Sequence, residues 1–121
     1  MIAFIASTKI RVDGLILCSL SPFFKEDISK IEFKKISTLE LNRYKDFVKY
    51  SSKKLAIETS AKKVFMLYGA EESVPLIHRV TKTYNEMSSP YKYLLPIRKT
   101  EHDISNKQYL NTIQNVTSYL L

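Results

Sequence analysis

The sequence is poor in cysteine and has no long apolar run, and each shortage excludes a class of protein. Cys18 is the only cysteine, so an internal disulfide is excluded, and a lone thiol in an apolar stretch suits the reducing cytoplasm as a buried, inert side chain. No apolar run approaches the roughly 20 residues that a helix needs to cross a bilayer. The apolar start, residues 1–6, lacks the basic segment and cleavage site of a signal peptide. We therefore expect a cytoplasmic protein that does not enter a membrane.

Histidine is also scarce, and this argues against a metal site. The two histidines, His78 and His102, fall in separate predicted elements and have no cluster of cysteine or aspartate beside them. That arrangement lacks the ligand spacing of known zinc sites. We predict no metal and no cofactor, and we expect His78 to lie on the surface of a helix.

Basic residues outnumber acidic ones, but they do not form a block. The 19 Lys and Arg against 12 Asp and Glu give a net charge of +7, and the two signs are interspersed along the chain. No helix-turn-helix, zinc-finger or aromatic RNA-recognition signature accompanies them. We expect a solvated basic face, and nucleic-acid binding is the weakest of our functional hypotheses.

The length and the apolar pattern predict one α/β domain. At 121 residues with 45% apolar side chains, the chain suffices for a single core. The unbroken apolar run of residues 64–68 is typical of a strand buried on both faces of a parallel sheet. We predict a short, mainly parallel three-stranded sheet flanked by helices. The strands are expected near residues 12–18, 64–69 and 91–97, the longer helices near 38–49, 73–87 and 105–120, and short helical turns near 2–7 and 53–59.

Capping residues predict where three of the helices begin. Ser73, with Pro75 in the first turn, is typical of a helix start. The segments 37–40 and 105–108 have the spacing of a capping box, in which a serine precedes Glu or Gln by three positions. The inner face of the last helix is predicted to carry Leu110, Ile113, Val116 and Leu120.

A carboxylate and an imidazole follow two neighbouring predicted strands. Gly69 ends one strand, and Glu71 and Glu72 follow it by two and three residues; His102 follows the next strand. In parallel sheets, functional groups collect past the carboxyl ends of the strands. An acid paired with a histidine is the orienting half of a Ser-His-acid triad. Glu71 remains an alternative acid, whereas Asp103 is better placed to cap the following turn.

Each of these residues also has an ordinary structural interpretation. Glu72 can be an acidic residue at a helix N-terminus, where the helix dipole favours negative charge. His102 alone can be a surface histidine in a loop. Only their occurrence as a pair at successive strand ends favours a functional interpretation.

This ordered set of strand ends resembles the C-terminal part of an α/β-hydrolase, in which nucleophile, acid and histidine follow one another along the chain. The resemblance implies that Glu72 is the acid and His102 the general base of an ester hydrolase acting on a small-molecule substrate. It also implies that residues 1–9 are the later turns of the helix after the nucleophile. Residues 12–22 would be the next strand and its exit loop, and residues 23–60 a cap-like helical insertion in one partial domain, residues 1–121.

The chain departs from that family where the nucleophile should be. Gly14 and Gly69 are the only glycines, so the Gly-x-Ser-x-Gly elbow is absent, and the resemblance implies a nucleophile preceding Met1. Ser19 and Ser21 follow the first strand, but neither has the flanking glycines that a sharp elbow requires. We interpret both as loop serines and expect this chain alone to be inactive.

An alternative hypothesis is a non-catalytic interaction domain. If residues 12–18 form an unpaired edge of the sheet, that edge can pair with another chain. This hypothesis predicts a homo-oligomer or a complex with a partner chain.

Overall fold

The computed structural model of the protein describes residues 1–30 and 45–121. The described elements, in chain order, are α1 (Ile2–Ala6), β1 (Gly14–Cys18), a 3₁₀ helix (Lys25–Lys30), α2 (Ser52–Glu58), β2 (Lys63–Gly69), α3 (Val74–Glu86), β3 (Tyr91–Ile97) and α4 (Lys107–Leu120). The capping box predicted at residues 37–40, and most of the helix predicted there, lie outside the described residues. Residues 45–47 are helical.

The sheet confirms the predicted α/β class. Within the described ranges it has three strands in the order β1-β2-β3, and both pairs are parallel. Gly14 lies opposite Lys63, and Lys63 lies opposite Tyr91. The first strand begins at Gly14, two residues after the predicted start, and the Val12 N–H before it donates to Ser60 Oγ at 3.1 Å.

The apolar run in the central strand, β2, is unbroken because side chains on both of its faces are buried. Val64 and Met66 face one side of the sheet and belong to the larger core cluster, together with residues of α1, α2 and α3. Phe65 and Leu67 face the other side and form a smaller cluster with residues of α4. Both faces of β2 are covered, as the uninterrupted hydrophobicity predicts.

The start of α3 agrees with the sequence in position but not in every detail. Ser73 is the N-cap residue, and Pro75 lies in the first turn. The Ser73 side chain makes no capping hydrogen bond. The position of the cap is confirmed, but its predicted contact is absent.

The capping box predicted at residues 105–108 is wrong. The N-cap residue of α4 is Asn106, whose Oδ1 accepts the Gln108 N–H at 2.9 Å. Ser105 instead donates its N–H (2.9 Å) and its hydroxyl (2.5 Å) to Asp103 Oδ1. Asp103 therefore binds the serine that the box would have used, and the helix begins one position later.

The inner face of α4 also differs from the prediction at one position. Val116 is buried, and Ile113 and Leu120 pack against the core, but Leu110 is 51% exposed. Tyr109 occupies the inner position and is 0% exposed. Positions 109, 113, 116 and 120 are spaced by four, three and four residues, so they lie on one side of a helix. A set that replaces position 109 with 110 is spread over a wider part of the helix surface.

A buried ion pair and its hydrogen bonds connect the 3₁₀ helix, α2 and α3. Arg79 of α3 binds Asp27 of the 3₁₀ helix through two nitrogens, one of them Nε at 2.9 Å from Oδ2. Arg79 Nη1 also donates to Ser52 Oγ of α2 at 2.6 Å. The guanidinium carbon lies 5.6 Å from the centre of the Phe24 ring. Sequence reasoning missed this cluster, because its members are far apart along the chain.

Among the described helices, none has the length and apolar character needed to cross a membrane.

Candidate functional site

The carboxyl ends of the three strands bring Ser19, Glu72 and His102 together. The Glu72 side chain is fully buried, and its Oε1 lies 3.3 Å from His102 Nδ1. The Ser19 hydroxyl, which follows β1, donates to the same oxygen, Glu72 Oε1. The His102 side chain is 58% exposed. A buried carboxylate thus contacts an imidazole that solvent can reach.

Gly69 allows the two loops that carry Glu72 and His102 to touch. A Cβ on Gly69 would lie 2.2 Å from the carbonyl oxygen of Thr100, on the loop that leads to His102. The same loops are joined by backbone hydrogen bonds from Glu71 N–H to Thr100 O at 3.0 Å and from Ala70 N–H to Ile97 O at 2.9 Å. The glycine is required here for close approach of the backbone.

The other candidate residues lie apart from this pair. Glu71 is exposed, so of the two adjacent acids the structure brings Glu72 to His102. Asp103 is exposed, and the hydrogen bonds from Ser105 lower the pKa of its carboxyl group. It stabilises the turn before α4. His78 is exposed on α3, as predicted.

A chain of hydroxyl groups extends from the pair into the core. Ser19 Oγ lies 2.7 Å from Tyr109 Oη, and the Tyr109 hydroxyl donates to Leu67 O at 2.9 Å. Burial raises the pKa of the Tyr109 phenol, although the hydrogen bond with Ser19 opposes that effect. Sequence reasoning missed Tyr109, and the signal that could have found it was its phase in α4.

The order of contacts differs from that of a catalytic triad. In a triad the imidazole lies between the nucleophile and the acid, whereas here Glu72 lies between Ser19 and His102. Ser19 therefore does not occupy the position of a nucleophile relative to this histidine, in agreement with the interpretation of Ser19 as a loop serine.

A cavity of about 320 Å³ adjoins His102 and Ser19. His102, Ser19 and Ser21 contribute polar atoms to its lining, and Met1 and Leu20 are among its apolar residues. The amino end of the chain, the end of β1 and the His102 loop thus meet around one space. It has room for a small ligand beside the imidazole.

Cys18 also lines this cavity. Burial raises the pKa of its thiol, which disfavours the reactive thiolate form. No group of three or more His, Cys, Asp or Glu in residues 1–30 and 45–121 could hold a metal ion.

No protein-family model matches the chain, and no curated protein is similar enough to count as a match.

Proposed function

We propose that Glu72 and His102 are the acid and the general base of a hydrolase site, in a chain that resembles the C-terminal part of an α/β-hydrolase. The observation that carries this proposal is the contact between Glu72 Oε1 and His102 Nδ1, at the carboxyl ends of parallel strands. The site would hydrolyse an ester or a related acyl bond of a small molecule.

The contact supplies what a general base needs. An ionised carboxylate only accepts hydrogen bonds, so the proton on the imidazole stands at Nδ1, and Nε2 has a free lone pair. Nε2 would take the proton of an attacking hydroxyl and later return it to the leaving group. Glu72 stabilises the imidazolium formed between these steps, and its burial strengthens that attraction.

We place the nucleophile outside these 121 residues. Ser19 contacts the carboxylate rather than the imidazole, and the chain has no Gly-x-Ser-x-Gly segment. The hydroxyl of such a nucleophile, from the same polypeptide or from another chain, would have to reach His102 through the cavity that His102 lines.

The reading frame upstream of the Met1 codon tests this proposal. It should encode strands that end in a Gly-x-Ser-x-Gly elbow, and the joined polypeptide should hydrolyse short p-nitrophenyl esters. The His102→Ala variant should lower kcat/KM by on the order of 10³-fold, because a general base contributes about that much. The matched control His78→Ala should leave activity unchanged, since His78 is exposed on α3.

Two results would contradict the proposal. Ester hydrolysis by residues 1–121 alone, abolished by His102→Ala, would show that the nucleophile lies within this chain. A joined polypeptide that has an elbow but whose hydrolysis survives His102→Ala would remove the role assigned to the imidazole.

The edge of β1 that has no partner strand among the described residues favours a second candidate, an interaction domain. Among the described residues β1 pairs only with β2, and the nearby side chains of Ile2 and Ile10 are 76% and 61% exposed. An unpaired parallel edge can add a strand from another chain. Sedimentation over a range of protein concentrations should then show self-association, and a monomer at every concentration would contradict this candidate.

A further inference from the structure

We propose that Ser19 and Tyr109 are positioning residues that hold the Glu72 carboxylate in the orientation required by His102. The inference rests on the proposed function, since it assigns a role relative to the same acid and base. It adds Ser19, which directly follows β1, and Tyr109 of α4, and neither of these parts of the chain carries a member of the pair.

The count of protons sets the direction of the hydrogen bonds. The Glu72 carboxylate can only accept, so the single hydroxyl proton of Ser19 is directed to Glu72 Oε1. Ser19 Oγ must then accept from Tyr109, whose Oη lies 2.7 Å away. The Tyr109 proton is shared between Ser19 Oγ and Leu67 O, at 2.9 Å. Ser19 therefore donates to the carboxylate, and Tyr109 supports Ser19 with a proton that it divides between Ser19 and Leu67 O.

Glu72 depends on this donor because its other contacts are few. Oε2 is buried and has no hydrogen-bond partner among the described residues. Oε1 therefore receives the contacts found for this carboxylate, from Ser19 and from His102. His102 is largely exposed and Ser19 is buried, so Ser19 is the more rigid of the two donors.

The backbone of Ser19 has an unusual conformation that serves this contact. Its φ is 45°, in the left-handed region that residues other than glycine rarely adopt. The Ser19 N–H donates to Leu67 O at 2.8 Å, which ties the strained residue to β2. The Tyr109 hydroxyl binds the same carbonyl oxygen. Strain of this kind persists where the surroundings determine the conformation, and it is frequent at functional sites.

The tautomer of His102 reports the orientation of Glu72 directly. The chain has only two histidines, so ¹⁵N spectra of the imidazole rings at alkaline pH resolve both, and exposed His78 serves as the internal reference. In the unmodified protein we expect His102 to carry its proton mainly at Nδ1, and His78 to show the ratio of free histidine. Glu72→Ala should shift His102 to the His78 ratio, which tests the proposed pair itself.

Ser19→Gly tests the positioning role. Glycine accepts the left-handed backbone without strain, so this variant removes the hydroxyl and leaves the fold intact. We expect His102 to lose most of its excess of the Nδ1–H tautomer. Tyr109→Phe should cause a smaller loss in the same direction. Ser21→Ala, a serine in the lining of the same cavity, should leave the His102 spectrum unchanged.

The outcomes separate the two proposals. If Glu72→Ala removes the tautomer preference and Ser19→Gly does not, the positioning role is overturned and the Glu72–His102 pair stands. If His102 in the unmodified protein already shows the His78 ratio, the pair is not formed in solution, and both proposals are overturned.

Discussion

At the scale of single residues, Gly69 has less room for a side chain than Gly14, the other glycine. The nearest atoms to a Cβ at this position belong to the backbone, Thr100 O at 2.2 Å and Glu101 O at 2.6 Å. A backbone carbonyl cannot rotate away as a side chain can. The position of His102 therefore depends on the absence of a side chain at the end of a different strand.

We expect Gly69→Ala to destabilise the protein by about 3 kcal/mol, at the upper end for an overpacked site. The substitution should also displace the loop before His102 and so separate it from Glu72. Urea unfolding and the ¹⁵N spectrum of the His102 ring measure these two effects.

Gly14→Ala is the matched control. The nearest atom to its Cβ is Leu120 Cδ2 at 2.8 Å, the end of a flexible side chain that can move. Gly14→Ala should lower the free energy of unfolding by less than Gly69→Ala does, and it should leave the ¹⁵N spectrum of His102 unchanged. A Gly69→Ala protein as stable as the Gly14→Ala protein would contradict this explanation.

At the scale of elements, the Asp27–Arg79 pair holds the 3₁₀ helix against α3. The two side chains are 7% and 3% exposed, so each charge depends on the other for compensation. We expect Arg79→Leu to lower the free energy of unfolding by about 3 to 5 kcal/mol, because it leaves a buried carboxylate unpaired. The double substitution Asp27→Leu/Arg79→Leu should recover part of that loss, and urea unfolding of the four proteins gives the coupling energy.

The exposed pair Lys54–Glu58 is the control for this measurement. Its atoms are 3.8 Å apart, and the two side chains are 72% and 46% exposed. Glu58→Gln should lower the free energy of unfolding by about 0.5 kcal/mol or less, because water and salt screen exposed ion pairs. If Arg79→Leu and Glu58→Gln lowered the free energy of unfolding equally, burial would not strengthen the dependence of Asp27 on Arg79.

The elements also show what could be predicted from the sequence. The strands and α3 were predictable because periodicity and capping residues act locally, and the proximity of Glu72 and His102 follows from the geometry of parallel strand ends. The contact between Ser19 and Tyr109 was not, because it joins residues from opposite ends of the chain. The start of α4 was predicted wrongly because Asp103 binds the N–H and hydroxyl of Ser105, and Asn106 accepts the Gln108 N–H that the capping box assigned to Ser105.

At the scale of the whole molecule, the buried phenol of Tyr109 makes stability depend on pH. Burial raises its pKa above the ordinary value of 10.0, so above that pH the unfolded chain loses a proton that the folded chain retains. The free energy of unfolding should then fall with increasing pH by about 1.4 kcal/mol per pH unit for this group. Below that pH the group is protonated in both states and has no such effect.

Tyr109→Phe isolates this contribution. Urea unfolding at increasing alkaline pH should show a shallower decline in the variant than in the unmodified protein. Both proteins should carry Cys18→Ser, because burial also raises the pKa of that thiol and adds a decline of the same sign. Parallel declines in the two proteins would contradict the assignment to Tyr109.

The register of the sheet has a consequence for the order of folding. The paired residues Lys63 and Tyr91 lie closer along the chain than Gly14 and Lys63 do. A shorter loop closes at a smaller entropic cost, so the unit β2-α3-β3 should form first and β1 should dock onto it afterwards. In stopped-flow experiments we therefore expect Val80→Ala to slow folding and Leu17→Ala mainly to accelerate unfolding. The strand that directly precedes Ser19 would then be the last to form, and the Glu72 carboxylate would acquire its second donor only in the final step of folding.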